Sequence, residues 1–329
     1  MRSSHEQSRT DSSQAGGNSG SFMAQSLLDT GRFNITAISR PDSKSPIPAG
    51  IKVVPADYSS HDSLVAAMKG QDALIITLSI FAPKDTQPTL IRAAADAGVP
   101  WVLPNHWGTD VEDPAVRRDV PAFEASYGAR AQIMELGKSA MLDIACGFWY
   151  EWSLAIPASF GFDFANKTAT FFDDGKTKIS ISTWPQVGRA VTALLSLPIK
   201  PESGNKERCL EHFKNTTVYV NSFTISQQDM LDSVLRVTGD KAEDWNVTRE
   251  PARERYAAAA KALKEGTDKQ AYVKMMYTRI FFDDGNGNFE ANRGLANGVL
   301  GLKNDGLDEA TRRAIKRATE EHAPRLRHD

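Results

Sequence analysis

The 329-residue sequence predicts an α/β protein built on a doubly wound parallel sheet. Three observations carry that prediction. Strand-like and helix-like segments alternate from residue 20 to residue 147, the order that right-handed β-α-β crossovers require. Among the strand-like segments, Ala73-Leu-Ile-Ile-Thr-Leu78 is one continuous apolar run, the mark of a strand buried on both faces. Ala15-Gly-Gly-Asn-Ser-Gly20 is a glycine-rich turn at the mouth of a helix. The discordant part is Met1 to Gln14, which has no large apolar side chain apart from Met1. It does not read as a buried strand, so residues 1–14 read as a disordered polar tail and the sheet as lacking its N-terminal strand.

Each element has its own signal. Gly20 to Leu28 is helical in pattern, with Phe22, Met23, Leu27 and Leu28 apolar and Gly31 as a stop. Phe33 to Ser39 reads as a strand closed by the turn chemistry of Arg40-Pro-Asp-Ser43, and Ile51 to Val54 as a second, short strand. Ser60 to Gly70 is a helix with a serine cap and a glycine exit. Thr86 to Ala97 is a helix closed by Gly98, Trp101 to Leu103 a strand ended by Pro104, Pro121 to Leu136 a helix and Leu142 to Cys146 a strand. Beyond residue 147 the alternation breaks. Phe148 to Phe164 is aromatic-rich and irregular, and Thr168–Phe172 and Lys178–Thr183 read as antiparallel strands around Asp173-Asp-Gly-Lys176. Pro185 to Leu197 is helical, Thr217 to Val220 a strand, and Ser226-Gln-Gln-Asp229 a capping box for a helix through Val237. The remainder reads as helical, interrupted by a turn at Asp283–Asn288.

Composition narrows the function. Apolar content of 41% and charged content of 24% are those of a globular protein. A net charge of −2 gives no field that would recruit nucleic acid or an anionic membrane. No apolar run is long enough to span a bilayer, and the N-terminus has no hydrophobic secretory core. Two cysteines, Cys146 and Cys209, make no disulfide framework. The expectation is a cytoplasmic location. The six histidines show no metal-ligand spacing, so no metal is expected.

The glycine-rich turn reads as a dinucleotide-binding loop, with the amides of Gly17, Asn18, Ser19 and Gly20 holding a pyrophosphate. A glycine is missing from the first position of the pattern, which falls on Gln14. Arg40 lies at the end of the following strand, about twenty residues on, where a basic residue favours the 2′-phosphate of NADP(H) over the ribose hydroxyl of NAD. Asp57 and Ser79–Phe81 also sit at carboxyl ends of strands, where open α/β sheets bind ligands, each equally readable as a loop residue or a contact. Leu103-Pro-Asn-His-Trp-Gly108 leaves another strand end. It offers Asn105 as a cofactor contact and His106 as a proton donor or, equally, a structural histidine. Tyr127, on the next helix, is either an acid for a carbonyl oxygen or a half-buried aromatic. Gly147-Phe-Trp-Tyr-Glu-Trp152 could wall the nicotinamide through Phe148, or form a core at a domain junction, with Glu151 as a salt-bridge partner.

Taken in order, these segments resemble the NmrA-like, isoflavone reductase-like branch of atypical short-chain dehydrogenases. The resemblance rests on Gly17-Asn-Ser-Gly20, Arg40, Lys69-Gly-Gln-Asp72, Leu103–Gly108, Gly147–Trp152, Val187-Gly-Arg-Ala190 and Asn297-Gly-Val-Leu-Gly-Leu302, and Gly147–Trp152 is similar to fungal CipA-type oxidoreductases. It implies a Rossmann-like domain at residues 15–150, with 185–222 returning to it, and a smaller C-terminal α+β substrate domain from 151–184 and 223–329. It implies NADP(H) as cofactor and a reductase acting on a small secondary metabolite, aromatic in the narrower reading. Where reductases of this family carry a lysine, spacing to Glu135 places Tyr127. That departure keeps a second expectation open, a non-catalytic NADP sensor that binds a protein partner.

Overall fold

The computed structural model describes residues 8–13, 17–40, 43, 46–79, 82–202 and 204–320, with the backbone alone described at 8–13. Gln14, Ala15 and Gly16 of the loop, and Ile80 and Phe81, lie outside the described residues. In chain order the first half contains β1 (Ser8–Ser13), α1 (Asn18–Leu28), β2 (Phe33–Ser39), β3 (Lys52–Pro55), α2 (His61–Met68), β4 (Ala73–Ile76), α3 (Thr86–Ala97), β5 (Trp101–Leu103), α4 (Pro114–Asp119), α5 (Pro121–Leu136), β6 (Ala140–Met141) and β7 (Asp143–Ala145). The second half contains β8 (Phe148–Trp149), α6 (Tyr150–Leu154), α7 (Pro157–Phe160), β9 (Phe162–Asp163), β10 (Thr168–Phe172), β11 (Ile179–Ser182), α8 (Trp184–Leu195), α9 (Leu210–Phe213), β12 (Thr217–Tyr219) and β13 (Phe223–Ile225). It closes with α10 (Gln227–Thr238), β14 (Asn246–Glu250), α11 (Ala252–Glu265), α12 (Ala271–Arg279), α13 (Phe289–Arg293), α14 (Asn297–Leu300) and α15 (Leu307–Glu320).

Six strands make one parallel sheet in the order β3-β2-β1-β4-β5-β6. This is the doubly wound, Rossmann-like arrangement expected. One expectation is overturned: Ser8–Ser13 is not a tail. Its backbone runs as β1 between β2 and β4, in register from Ser8 opposite Phe33 to Ser13 opposite Ile38, and from Thr10 opposite Ala73 to Ser13 opposite Ile76. Ladder hydrogen bonds belong to the backbone, and β2 and β4 would each present an unpaired edge without a strand between them. The slot therefore takes a strand whose side chains give no hydrophobic reason for being there.

Helices cover both faces. Met23 and Leu27 of α1 pack with Val187, Val191 and Leu194 of α8 and with Ile35, Ile75 and Leu103 of the sheet. Leu64 and Met68 of α2, Leu90 and Ile91 of α3 and Ile133 of α5 pack with Ile38, Leu74, Ile76 and Val102 on the other face. Helix α8 approaches α1 through Gly188, where a Cβ would stand 2.6 Å from the Phe22 carbonyl oxygen. The β7–β12 pair adds to the α8 side.

A third core, rich in aromatics, joins α4 and the start of α5 to α6, α7, β9–β11 and α10–α12. Here β10 and β11 are not the hairpin expected from Asp173–Lys176. The strand β10 pairs with β9 and β14, while β11 pairs with β8 and β13. The connecting segment carries the left-handed residues Asp173 and Gly175, and it sends the two strands to different sheets. The capping box at Ser226 is present: Asp229 N–H donates to Ser226 Oγ at 3.2 Å and Ser226 N–H to Asp229 Oδ2 at 2.9 Å.

Candidate functional site

The N-terminus of α1 is built to receive an anion. Gly17 is the N-cap, no side chain among the described residues caps the helix, and no acidic residue lies in its first turn. A serine or aspartate cap would occupy these amides, whereas glycine brings no side chain to them. Ser21 N–H makes the first helical bond to Gly17 O at 2.9 Å, and Ser21 Oγ donates to Asn18 O at 3.0 Å. Arg40, exposed, follows the end of β2 on the strand next to β1. A glycine cap at a helix mouth and a cationic side chain after the neighbouring strand suit a dinucleotide.

The other expected contacts lie at strand ends but are partly committed elsewhere. The Asp57 carboxylate accepts from Ser59 N–H at 2.9 Å and Ser59 Oγ at 2.6 Å, a turn that leads into α2. Those two donors hold its carboxyl below the usual range. Ser79 is exposed past the end of β4. Asn105 clamps the sheet end, accepting from Leu78 N–H at 2.9 Å and donating to Leu78 O at 3.2 Å. The Phe148 ring is buried in the third core and stacked on Tyr277 with centroids 4.0 Å apart.

His106 lies in a buried ionic network. Its Nδ1 meets Asp143 Oδ1 at 2.9 Å and its Nε2 meets Thr109 O at 2.7 Å, with side chains 2% and 0% exposed for His106 and Asp143. The Thr109 carbonyl accepts from Nε2–H and the Asp143 carboxylate favours a proton on Nδ1, so these contacts favour the imidazolium. Burial pulls its pKa down, but the Asp143 charge and hydrogen bond outweigh burial and raise it. Burial likewise pushes Asp143 up, and His106 and then Arg130 overcome it, leaving the carboxyl below its ordinary value. Arg130 Nε stands 3.3 Å from Asp143 Oδ2, Arg130 also pairs with Glu112, and Thr217 Oγ1 donates to Asp143 Oδ2 at 3.0 Å. Between His106 and Gly108, Trp107 is held in the left-handed region at φ 36°, its indole N–H on Ile76 O at 2.7 Å. Strain of this kind in a bulky residue survives only when its surroundings hold it.

Tyr127 sits on the face of α5 that turns toward the third core, half-buried. The Arg117 guanidinium lies 3.8 Å from its ring centroid and that of Arg130 5.3 Å. The aromatic run after β7 divides its roles. Trp149 and Trp152 gather around Trp184 at the start of α8, and Phe22 of α1 stacks on Trp184 at 5.8 Å. Glu151 is the salt-bridge partner expected: it pairs with Arg313 at 3.1 Å and accepts from Trp184 N–H at 3.3 Å. Sequence reasoning missed Asp143, Arg130 and Arg117. An aspartate inside the apolar run Leu142–Cys146 was the available signal, since a buried carboxylate requires partners.

A family model for NAD(P)H-binding domains matches residues 15–131. Oxidoreductase aprR of Aspergillus flavus is 28% identical over 92% of this chain and 97% of its own length. A crystal structure of isoflavone reductase superposes with a TM-score of 0.73 at 17% identity, covering 93% of this chain and 98% of that one. The leucoanthocyanidin reductase–NADPH complex of Vitis vinifera gives a TM-score of 0.73 at 17% identity, covering 93% and 99%. Fold, uncapped helix mouth and matched residues thus define an NAD(P)H-binding protein of the oxidoreductase class. Along its length the chain is similar to such fungal oxidoreductases, over 41% of it also to the NmrA-like oxidoreductase FrzB of Cladobotryum sp at 30% identity, and its fold is that of isoflavone reductase. No described helix is long and apolar enough to cross a membrane.

Proposed function

We propose that this protein is an NADPH-dependent reductase of a small, aromatic secondary metabolite. The observation that carries the reading is the glycine-capped mouth of α1 with Arg40 at the end of the neighbouring strand. The amides of Gly17, Asn18, Ser19 and Gly20 bind the diphosphate, and Arg40 selects the 2′-phosphate. When bound, the dinucleotide supplies a hydride. Tyr127 supplies the proton to the substrate oxygen, because both ring nitrogens of His106 are committed to Asp143 and Thr109. His106 instead holds the loop that follows β5. The leucoanthocyanidin reductase complex, which contains NADPH, and the oxidoreductase aprR support the choice of cofactor and reaction class.

Fluorescence titration with NADPH and NADH tests the reading. Wild type prefers NADPH, and Arg40→Ala weakens NADPH binding about tenfold to hundredfold, the worth of a hydrogen bond to a charged group, while leaving NADH unchanged. Equal affinities in wild type refute the assignment of Arg40. NADPH binding without oxidation of the cofactor by any aromatic carbonyl compound would favour the sensor reading instead.

A further inference from the structure

Arg117 has more partners than a surface arginine on a short helix requires. Its Nη1 donates to Val111 O at 2.6 Å and to Glu112 O at 3.0 Å, and its Nε to Glu124 Oε2 at 3.2 Å. The side chain is 14% exposed. These bonds hold the guanidinium over the Tyr127 ring, its Cζ 3.8 Å from the centroid. Three elements meet there: the segment leaving Asp110, the first turn of α5 through Glu124, and the phenol one turn further along α5. The Glu112 whose carbonyl receives Arg117 also pairs through its carboxylate with Arg130, which stands 5.3 Å from the same ring.

We propose that Arg117 is a positioning residue for the Tyr127 phenol in the reductase step, an inference that rests on Tyr127 being the proton donor. Fixing the guanidinium on two carbonyls fixes the plane of the ring and the direction of its hydroxyl. As the phenol O–H bond breaks and the proton passes to the substrate oxygen, negative charge develops on the tyrosine oxygen and spreads into the ring. A cation over the ring face stabilises that charge more than it stabilises the neutral phenol. Arginine suits the place because a planar fork can bond carbonyls while stacking on an aromatic, which an ammonium does poorly.

The test uses the full chain, NADPH and para-nitrobenzaldehyde as carbonyl probe. In Arg117→Met, kcat falls about tenfold to hundredfold, while KM and the NADPH dissociation constant hold. Arg117→Lys, which keeps the charge, recovers part of kcat. In a Tyr127→Phe background, Arg117→Met has no further effect, because the two act as one unit. A readout independent of turnover is fluorine NMR of fluorotyrosine-labelled protein. The line missing from Tyr127→Phe shifts in Arg117→Met and moves back in Arg117→Lys. Loss of kcat in Tyr127→Phe without loss in Arg117→Met overturns the proposal alone, and full turnover by Tyr127→Phe overturns the proton-donor reading with it. Should the wild type not reduce the aldehyde, the NMR line decides, and an unmoved line overturns the proposal.

Discussion

The central strand of this sheet is the place where a substitution is most informative. In β1 the register sets Thr10 between Ile35 of β2 and Ala73 of β4, and Ser12 between Ala37 and Ile75. Ile35, Ala73 and Ile75 belong to the core beneath α1 and α8. The double substitution Thr10→Val, Ser12→Val therefore adds two apolar side chains in rows that are apolar on both sides. Burying a valine is worth about 1.5–3 kcal/mol relative to leaving it exposed. Allowing for imperfect fit, the pair should add about 2–4 kcal/mol. At about 2 °C per kcal/mol for a chain of this size, the melting temperature rises by about 4–8 °C. NADPH affinity should rise too, because the strand delivers the loop to α1. Any population with the strand undocked weakens apparent binding in proportion. Differential scanning fluorimetry reads the first effect, and hydrogen exchange at Arg9–Ser13 reads strand docking directly. A double variant with unchanged melting temperature and unchanged exchange would refute the placement of this segment between β2 and β4.

Three further outcomes follow from the same geometry. Gly188→Ala puts a methyl 2.6 Å from the Phe22 carbonyl oxygen, so α8 must move off α1; the expected cost is about 1–3 kcal/mol, read by denaturant unfolding, with weaker NADPH binding because α1 carries the proposed phosphate site. The His106 pKa is raised in the fold, so its stabilisation is complete below the ordinary value of 6.5 and is lost as pH rises through the higher folded value. The melting temperature should fall on that alkaline side, and His106→Gln should lower it at neutral pH and abolish the alkaline fall. Asp143 is depressed, so its contribution is present above the ordinary carboxylate value of 3.8 and is lost as pH falls through the lower folded value. Asp143→Asn leaves His106 and Arg130 as buried cations short of a counter-charge, and it should cost about 3–5 kcal/mol in urea unfolding.

How much of this was legible in the sequence depends on which forces place each element. Helix α5 runs over Pro121–Leu136 as its pattern predicts, because proline at its first position and Gly137 in the left-handed exit are local signals. The Ser226–Asp229 box is equally local. Strand β1 was illegible for the opposite reason. Its six residues carry no apolar side chain, and the sheet recruits them through ladder bonds that every sequence can make. The pairing of β10 and β11 with different partners is likewise decided by strands far away in the chain, β14 and β8 among them.

Legibility of the site divides the same way. The helix mouth announces itself in glycines, but the state of His106 could not be read from His106. It is set by Asp143, 37 residues on, and by a backbone carbonyl. Once those partners are known, the histidine ceases to be a free acid and becomes the brace of a strained loop. On the proposed function, the proton-transfer role then moves to a phenol that two arginines flank. One of these, Arg130, also binds the brace's own counter-ion, Asp143. Loop, brace and phenol are thus tied through Asp143, Arg130 and Glu112 into one charge-balanced unit, in which the two cations His106 and Arg130 face the two anions Asp143 and Glu112. Removing any member leaves a neighbour's charge buried without its partner. The site is therefore expected to fail as a unit, with single substitutions in this set costing nearly as much as double ones.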